Sequence, residues 1–292
     1  MSPTPLLEQL VETRLNDPGR IARVLAERPR GSLPADGAPL MIIACDHPAR
    51  GALAAGSNPL AMGSREDLLA RCVEALSRPG VHGFLGTADL IEDLALLGAL
   101  DGKLVYGSMN RGGLMGATFE MDDRFTGYDA DGVVDSGLDG GKMLMRVNRE
   151  DPASVRTVEA CAHAVDDLNE RGVVAMVEPF ISRWVNGRIV NDLSPDAVID
   201  SIAIASGLGR TTARTWLKLP AVDDMERVME SSSLPALILG GAVSDDPEAA
   251  RESWARALAL PTVKGLVIGR SLLFPPDDDV AGAVDNTVGL LS

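Results

Sequence analysis

The chain has 292 residues, 46% of them hydrophobic and 24% charged, which is the composition of a globular protein able to bury a large core. Its 42 acidic residues outnumber 27 basic ones, for a formal charge of −15. The overall field therefore repels polyanions, so neither nucleic acid nor an anionic membrane is expected as a partner. The basic residues include only four lysines, Lys103, Lys142, Lys218 and Lys264, so the position of each carries information.

Three cysteines (Cys45, Cys72, Cys161) and three histidines (His47, His82, His163) are scattered, without CxxC, HExxH or HxH spacing. A disulfide framework and a zinc site are both unexpected, and no metal or cofactor is called for. The N-terminal stretch mixes acids with leucines where a signal peptide would carry a basic segment before an apolar one. No apolar run approaches the roughly 18 residues of a membrane span, and a cytoplasmic protein is expected.

In chain order, residues 4–28 have helical spacing broken at Asp17-Pro18, and a Pro/Gly-rich stretch follows to residue 39. Residues 1–39 read as a helical extension and linker, and 40–292 as the main domain. The run Leu40-Met41-Ile42-Ile43-Ala44 is apolar without alternation, as in a strand covered on both faces. Similar segments recur near 82–86, 103–107, 142–147, 173–178, 214–219, 235–239 and 263–268. Amphipathic stretches alternate with them at 65–78, 87–99, 153–170, 195–207, 222–230, 246–259 and 279–291. Ser194-Pro195 and Asp246-Pro247 are helix starts, a capping side chain before a proline at the first helical position. Eight strand–helix alternations predict a parallel sheet closed into a (β/α)8 TIM barrel with an N-terminal helical extension. An open doubly wound sheet is the alternative, but Cys45-Asp46-His47-Pro48 is not the GxGxxG turn such a sheet usually carries. Residues 107–140 are too rich in Gly and Asp for one helix and predict a long functional loop, with room for one short helix.

In a barrel the chemistry belongs to the C-terminal ends of the strands. The first strand ends in Asp46-His47, the fourth carries Lys142 and Arg146, the fifth ends in Glu178-Pro179, and the sixth contains Lys218 within Trp216-Leu217-Lys218-Leu219-Pro220. Alternation sends Trp216 and Lys218 to one face and Leu217 and Leu219 to the other, so Lys218 can point into the barrel mouth. Burial and a neighbouring cation, Lys142, lower a lysine's proton affinity and yield a neutral amine able to form a Schiff base. The bland alternative is a buried ion pair of Lys218 with Glu178 or Asp46 that only ties strands together. For Asp46 alone the bland alternative is a cap, and for Glu178 an ion pair with Arg146 or Lys142. Gly240-Gly241-Ala242 and Gly269-Arg270 close strands seven and eight, where barrel enzymes recurrently bind phosphate through backbone N–H groups and an arginine. His47 beside Asp46 is either a substrate contact or a structural residue, and Asp277-Asp278-Asp279 reads as a solvated loop and cap.

These motifs resemble the class I, Schiff-base aldolases of the family that includes the archaeal-type fructose-bisphosphate, the tagatose-bisphosphate and the sulfofructose-phosphate aldolases. The resemblance rests on ACDHPARG, GLDGGKMLMRV, MVEPF, WLKLP, GGA and IGR, spanning residues 40–275. It implies that Lys218 forms the Schiff base and that Lys142, Glu178 and Asp46 activate the amine and relay protons. Gly240, Gly241, Gly269 and Arg270 would hold a phosphate, with Arg146 and His47 as further substrate contacts. The archaeal type has a tyrosine acid/base on strand five where this chain has Pro179 and Phe180, so the proton-transfer group is Glu178, Tyr106, Tyr128 or a water. The chain also looks like an actinobacterial barrel branch associated with inositol breakdown, which implies a 2-deoxy-5-keto-gluconate phosphate. The resulting expectation is retro-aldol cleavage of a phosphorylated ketose or keto-sugar acid, releasing dihydroxyacetone phosphate and an aldehyde, by a homo-oligomer. The rivals are a Schiff-base carbon transfer of the transaldolase type and a non-catalytic barrel that binds a sugar phosphate.

Overall fold

The computed structural model describes residues 5–292 apart from Ala242, Ser244 and Asp245. Eight strands form the barrel: β1 (Leu40–Cys45), β2 (Gly83–Gly86), β3 (Leu104–Ser108), β4 (Gly140–Val147), β5 (Val174–Val185), β7 (Thr215–Pro220), β8 (Ala236–Leu239) and β9 (Val263–Ile268). Each pairs in parallel with its neighbours, and the β4–β5 pairing closes the ring. The predicted TIM barrel is the observed fold. Its outer layer includes α3 (Arg65–Ser77), α4 (Ala88–Leu96), α6 (Ala153–Glu170), α7 (Pro195–Ser206), α8 (Met225–Glu230), α9 (Pro247–Leu258) and α11 (Val280–Val288). The Ser194 and Asp246 side chains accept from the Ala197 and Ala249 amides as the sequence suggests, and Asp279 caps α11 at Gly282.

The two faces of each strand enter different cores. Met41, Ile43, Leu217 and Leu219 pack outward beneath the helices. Leu40, Ile42, Tyr106, Met176, Leu237 and Val267, with Trp216, fill the lower interior. This apolar plug closes the barrel from below, so polar side chains one layer higher have no way to water except through the C-terminal mouth.

The N-terminal helices α1 (Pro5–Asn16) and α2 (Gly19–Glu27) lie against the barrel, with Leu10 and Leu25 in the outer core. Buried Arg28 donates to the Lys103 and Gly137 carbonyls, which precede β3 and β4. The extension is thereby anchored at the end of the barrel opposite the mouth.

One feature of the fold was not read from the sequence. β5 runs past the barrel rim and folds back through Asn186-Gly187 into β6 (Arg188–Asn191), an antiparallel hairpin beside the mouth. Asn186 and Gly187 have φ of 51° and 74°, the left-handed pair that a tight two-residue hairpin turn requires. The long loop after β3 holds one short helix, α5 (Ala130–Asp135), and is tied to the barrel. The Asn110 side chain accepts from the Leu144 amide at 2.7 Å and donates to the Leu144 carbonyl at 2.6 Å. It thus continues the β3–β4 ladder by one side-chain rung beyond the end of β3.

Candidate active site

Register places the charged layer. Ser108 lies opposite Lys142 and Leu144 opposite Glu178, while Met176 faces Trp216, so Glu178 and Lys218 stand at one level two residues further on. Lys142 begins one step lower, and its side chain rises to the same height. Lys218 donates to Glu178 Oε1 at 2.8 Å, and Lys142 contacts Glu178 Oε2. Lys142 is also 3.3 Å from Asp46 Oδ2. One carboxylate therefore bridges two amines, and the second supports the deeper of them. Asp46 and Lys142 are 0% exposed, Lys218 3% and Glu178 8%.

The environment sets the charge states. Burial lowers the proton affinity of Lys142 well below the usual lysine range, with Arg111 and Lys218 adding to the effect against Glu178. Burial likewise lowers Lys218, against the attraction of Glu178. For Glu178 burial acts in the opposite sense, but Lys142, Lys218 and Arg111 overcome it and hold the carboxyl well below its ordinary value. His47 is kept neutral by burial, then by Arg270 and Lys218.

Lys218 and Glu178 form part of the floor of a cavity of about 730 Å³ whose wall includes His47, Arg50, Gly240, Gly241, Gly269 and Arg270. Among the described residues the Arg270 guanidinium donates to the Ala54 carbonyl alone, at 3.4 Å, and its Nε has no hydrogen-bond partner. Among the described residues it pairs with no carboxylate. Burial lowers its proton affinity, and nearby Arg50 lowers it further. Two adjacent guanidiniums, one of them unpaired, beside glycine-rich strand ends make an anion-accepting corner. Gly240 is needed there because a Cβ would stand 2.6 Å from Ile268 Cγ2, and Gly241 has a φ of 70°. Ala242 of the Gly-Gly-Ala motif lies outside the described residues.

The sequence-predicted residues Lys218, Glu178, Lys142 and Asp46 are thus brought into one cluster, with His47, Gly240, Gly241, Gly269 and Arg270 around the cavity above it. Arg146 reaches the cavity wall, but its donors are taken. Its Nε and Nη2 bind Asp123 at 2.8 and 2.6 Å, and Nη1 lies 3.4 Å from Glu120. The acids come from the β3–β4 loop, and Arg146 fastens that loop to β4. Neither tyrosine offered for proton transfer lines the cavity. Tyr106 lies in the inner apolar plug and Tyr128 packs against the outer core.

Three contributors were missed: Ser108, Arg111 and Arg50. Ser108 donates to Asp46 Oδ2 at 3.0 Å, and Arg111 donates to Ser108 Oγ at 3.1 Å while its Nη2 contacts Asp46. Ser108 was legible by alternation, two residues beyond Tyr106 on the same inward face. Arg50 was legible as the arginine closing the Asp-His-Pro-Ala-Arg run.

Fold and site together define a TIM barrel whose mouth leads to a buried lysine, a bridging carboxylate and a glycine-lined corner with two arginines. The chain matches the Cgl0159-like family model over residues 38–288 and belongs to that family. The crystal structure of Cgl0159 from Corynebacterium glutamicum is 53% identical, covers 99% of this chain and 97% of its own, and superposes with a TM-score of 0.95. An archaeal fructose 1,6-bisphosphate aldolase is 16% identical with a TM-score of 0.67, over 93% of this chain and 98% of that one. A Schiff base-forming fructose-1,6-bisphosphate aldolase is also 16% identical, with a TM-score of 0.65, over 93% of this chain and 100% of that one. At such identities the two aldolases share the fold. A search of curated proteins gives no match.

Proposed function

We propose that the chain is a class I aldolase that cleaves a phosphorylated ketose or keto-sugar acid through a Schiff base on Lys218, in carbohydrate or inositol breakdown. The observation that carries this reading is Lys218 itself, an amine at the cavity floor whose proton affinity burial lowers, 2.8 Å from Glu178. Lys218, Arg50 and Arg270 line one cavity, so a substrate with its phosphate at the two arginines would present its carbonyl in the same space as that amine.

Lys218 Nζ adds to the ketone, and the carbinolamine loses water to give an iminium. A base takes the proton of the hydroxyl on the carbon β to the iminium, the alkoxide collapses to the aldehyde carbonyl, and the electron pair of the breaking α–β carbon–carbon bond flows into the iminium. An aldehyde leaves, the resulting enamine takes a proton on carbon, and water releases dihydroxyacetone phosphate and the free amine. Glu178 is the carboxylate within reach of Lys218 for these proton movements. Its depressed proton affinity makes it a carrier that is promptly emptied toward Lys142. Asp46 keeps Lys142 in place beneath it.

The test needs no knowledge of the aldehyde. In deuterated water the chain should exchange one hydrogen on the non-phosphorylated carbinol carbon of dihydroxyacetone phosphate, followed by proton NMR, and Lys218→Met should abolish the exchange. Exchange that survives intact in Lys218→Met would overturn the assignment of the nucleophile.

A further inference from the structure

The cavity floor holds more basic groups than carboxylates. Asp46, after β1, and Glu178, on β5, are faced by Arg111 from the β3–β4 loop, Lys142 on β4 and Lys218 on β7. Among the described residues no other carboxylate pairs with any of these three bases. The surrounding groups do not correct the imbalance. His47 is neutral, Arg270 adds positive charge, and Arg50 and Arg146 are matched by Glu120 and Asp123.

We propose that Arg111 is a positioning residue that limits the Lys142–Lys218 pair to a single proton near neutral pH, by engaging Asp46 so that two lysines are left to share one carboxylate. The inference rests on Lys218 being the Schiff-base lysine for its bearing on turnover. Arg111 is 7% exposed and fixed from two sides, by Asp46 and by Ser108 Oγ. Burial pushes it down to about 10, which still leaves it charged at neutral pH, so the surplus proton is shed by an amine. Glu178 touches both amines, so they titrate as a unit, and Lys218 is a free base whenever the remaining proton rests on Lys142.

This assigns a task to the long loop. Asn110, bonded to both backbone groups of Leu144, sets the start of the loop, and Arg111 follows it directly into the barrel mouth. A residue outside the proton-transfer chain thereby determines how many protons that chain holds.

The test is the pH dependence of Lys218 labelling by pyridoxal 5′-phosphate and borohydride, read by peptide mass spectrometry, which requires no natural substrate. Arg111→Met leaves two carboxylates for two lysines, and the labelling midpoint should rise by about one pH unit or more. The double variant Arg111→Met with Asp46→Asn restores the original imbalance and should return the midpoint to within about 0.3 unit of wild type. Asp46→Asn alone should lower it. A purely structural role for Arg111 predicts no such rescue. An unchanged midpoint in Arg111→Met, or a double variant that keeps the single variant's shift, overturns the proposal. If Arg111→Met loses its near-ultraviolet circular dichroism, the Asp46→Asn result decides, and a midpoint that does not fall overturns it. Labelling that behaves as expected while no sugar phosphate is turned over would refute the aldolase reading and leave this inference standing.

Discussion

Lys142→Met keeps a stem of similar length and removes one charge. In the native protein three cations share two carboxylates; without Lys142, Arg111 retains Asp46 and Lys218 retains Glu178 at 2.8 Å, one to one. The difference should be visible in the pH dependence of stability. In the fold Lys142 and Lys218 are held below the ordinary lysine value of 10.5, which the unfolded chain restores. Between the lowered and the ordinary value the unfolded state binds more protons, so native stability rises with pH and the rise ends as pH passes 10.5. Each proton missing from the fold is worth about 1.4 kcal/mol per pH unit. Lys142→Met should therefore reduce the slope of unfolding free energy between about pH 8 and about pH 10 by about 1.4 kcal/mol per unit, measured by urea unfolding at closely spaced pH values. With Lys218 now the one amine on Glu178, it holds its proton more tightly although still buried, and kcat/KM at neutral pH should fall by about tenfold or more. Equal slopes in the two proteins would refute the reasoning, because they would mean that the fold does not withhold a proton from this pair.

Arg270→Met removes a guanidinium that has no carboxylate partner among the described residues. It should raise KM for a phosphorylated substrate by about tenfold or more, leave kcat nearly unchanged and shift stability by less than about 1 kcal/mol, as steady-state kinetics and urea unfolding would show. Gly240→Ala sets a methyl group 2.6 Å from Ile268 Cγ2 and should cost about 1–3 kcal/mol by overpacking, with weaker binding of inorganic phosphate measured by calorimetry. Asn110→Ala leaves both backbone groups of Leu144 without their side-chain partner. It should cost about 2–4 kcal/mol, and hydrogen exchange should show the Leu144 amide losing protection.

Much of the fold follows from local pattern. Continuous apolar runs such as Leu40–Ala44 mark strands covered on both faces, and the prolines at 195 and 247 mark helix starts. The alternation argument for Lys218 holds because Trp216 packs with the inner core and Leu217 and Leu219 with the outer one. The β5–β6 hairpin carried the signal Val185-Asn186-Gly187-Arg188, but Glu178-Pro179 reads as the strand's end, and residues 182–185, which pair with β6, belong outside the barrel. Arg111 was hidden for a different reason. It lies in a stretch without periodicity, and its direction depends on Asn110 finding Leu144 across 34 positions, on Arg146 finding Asp123, and on Ser108 turning toward Asp46. Those contacts are products of barrel closure. Local spacing is equally unable to show that the Arg146 donors are taken by loop acids.

The most direct test of the account is chemical trapping at Lys218. The protein is incubated with phosphorylated ketoses and keto-sugar acids, reduced with borohydride and digested, and the peptide bearing Lys218 is examined by mass spectrometry. The account predicts an irreversible adduct on Lys218 with the mass of the reduced substrate or of its dihydroxyacetone phosphate fragment, and loss of activity in proportion to it. Turnover of a substrate that leaves no adduct on Lys218, or an adduct located on Lys142, would contradict it.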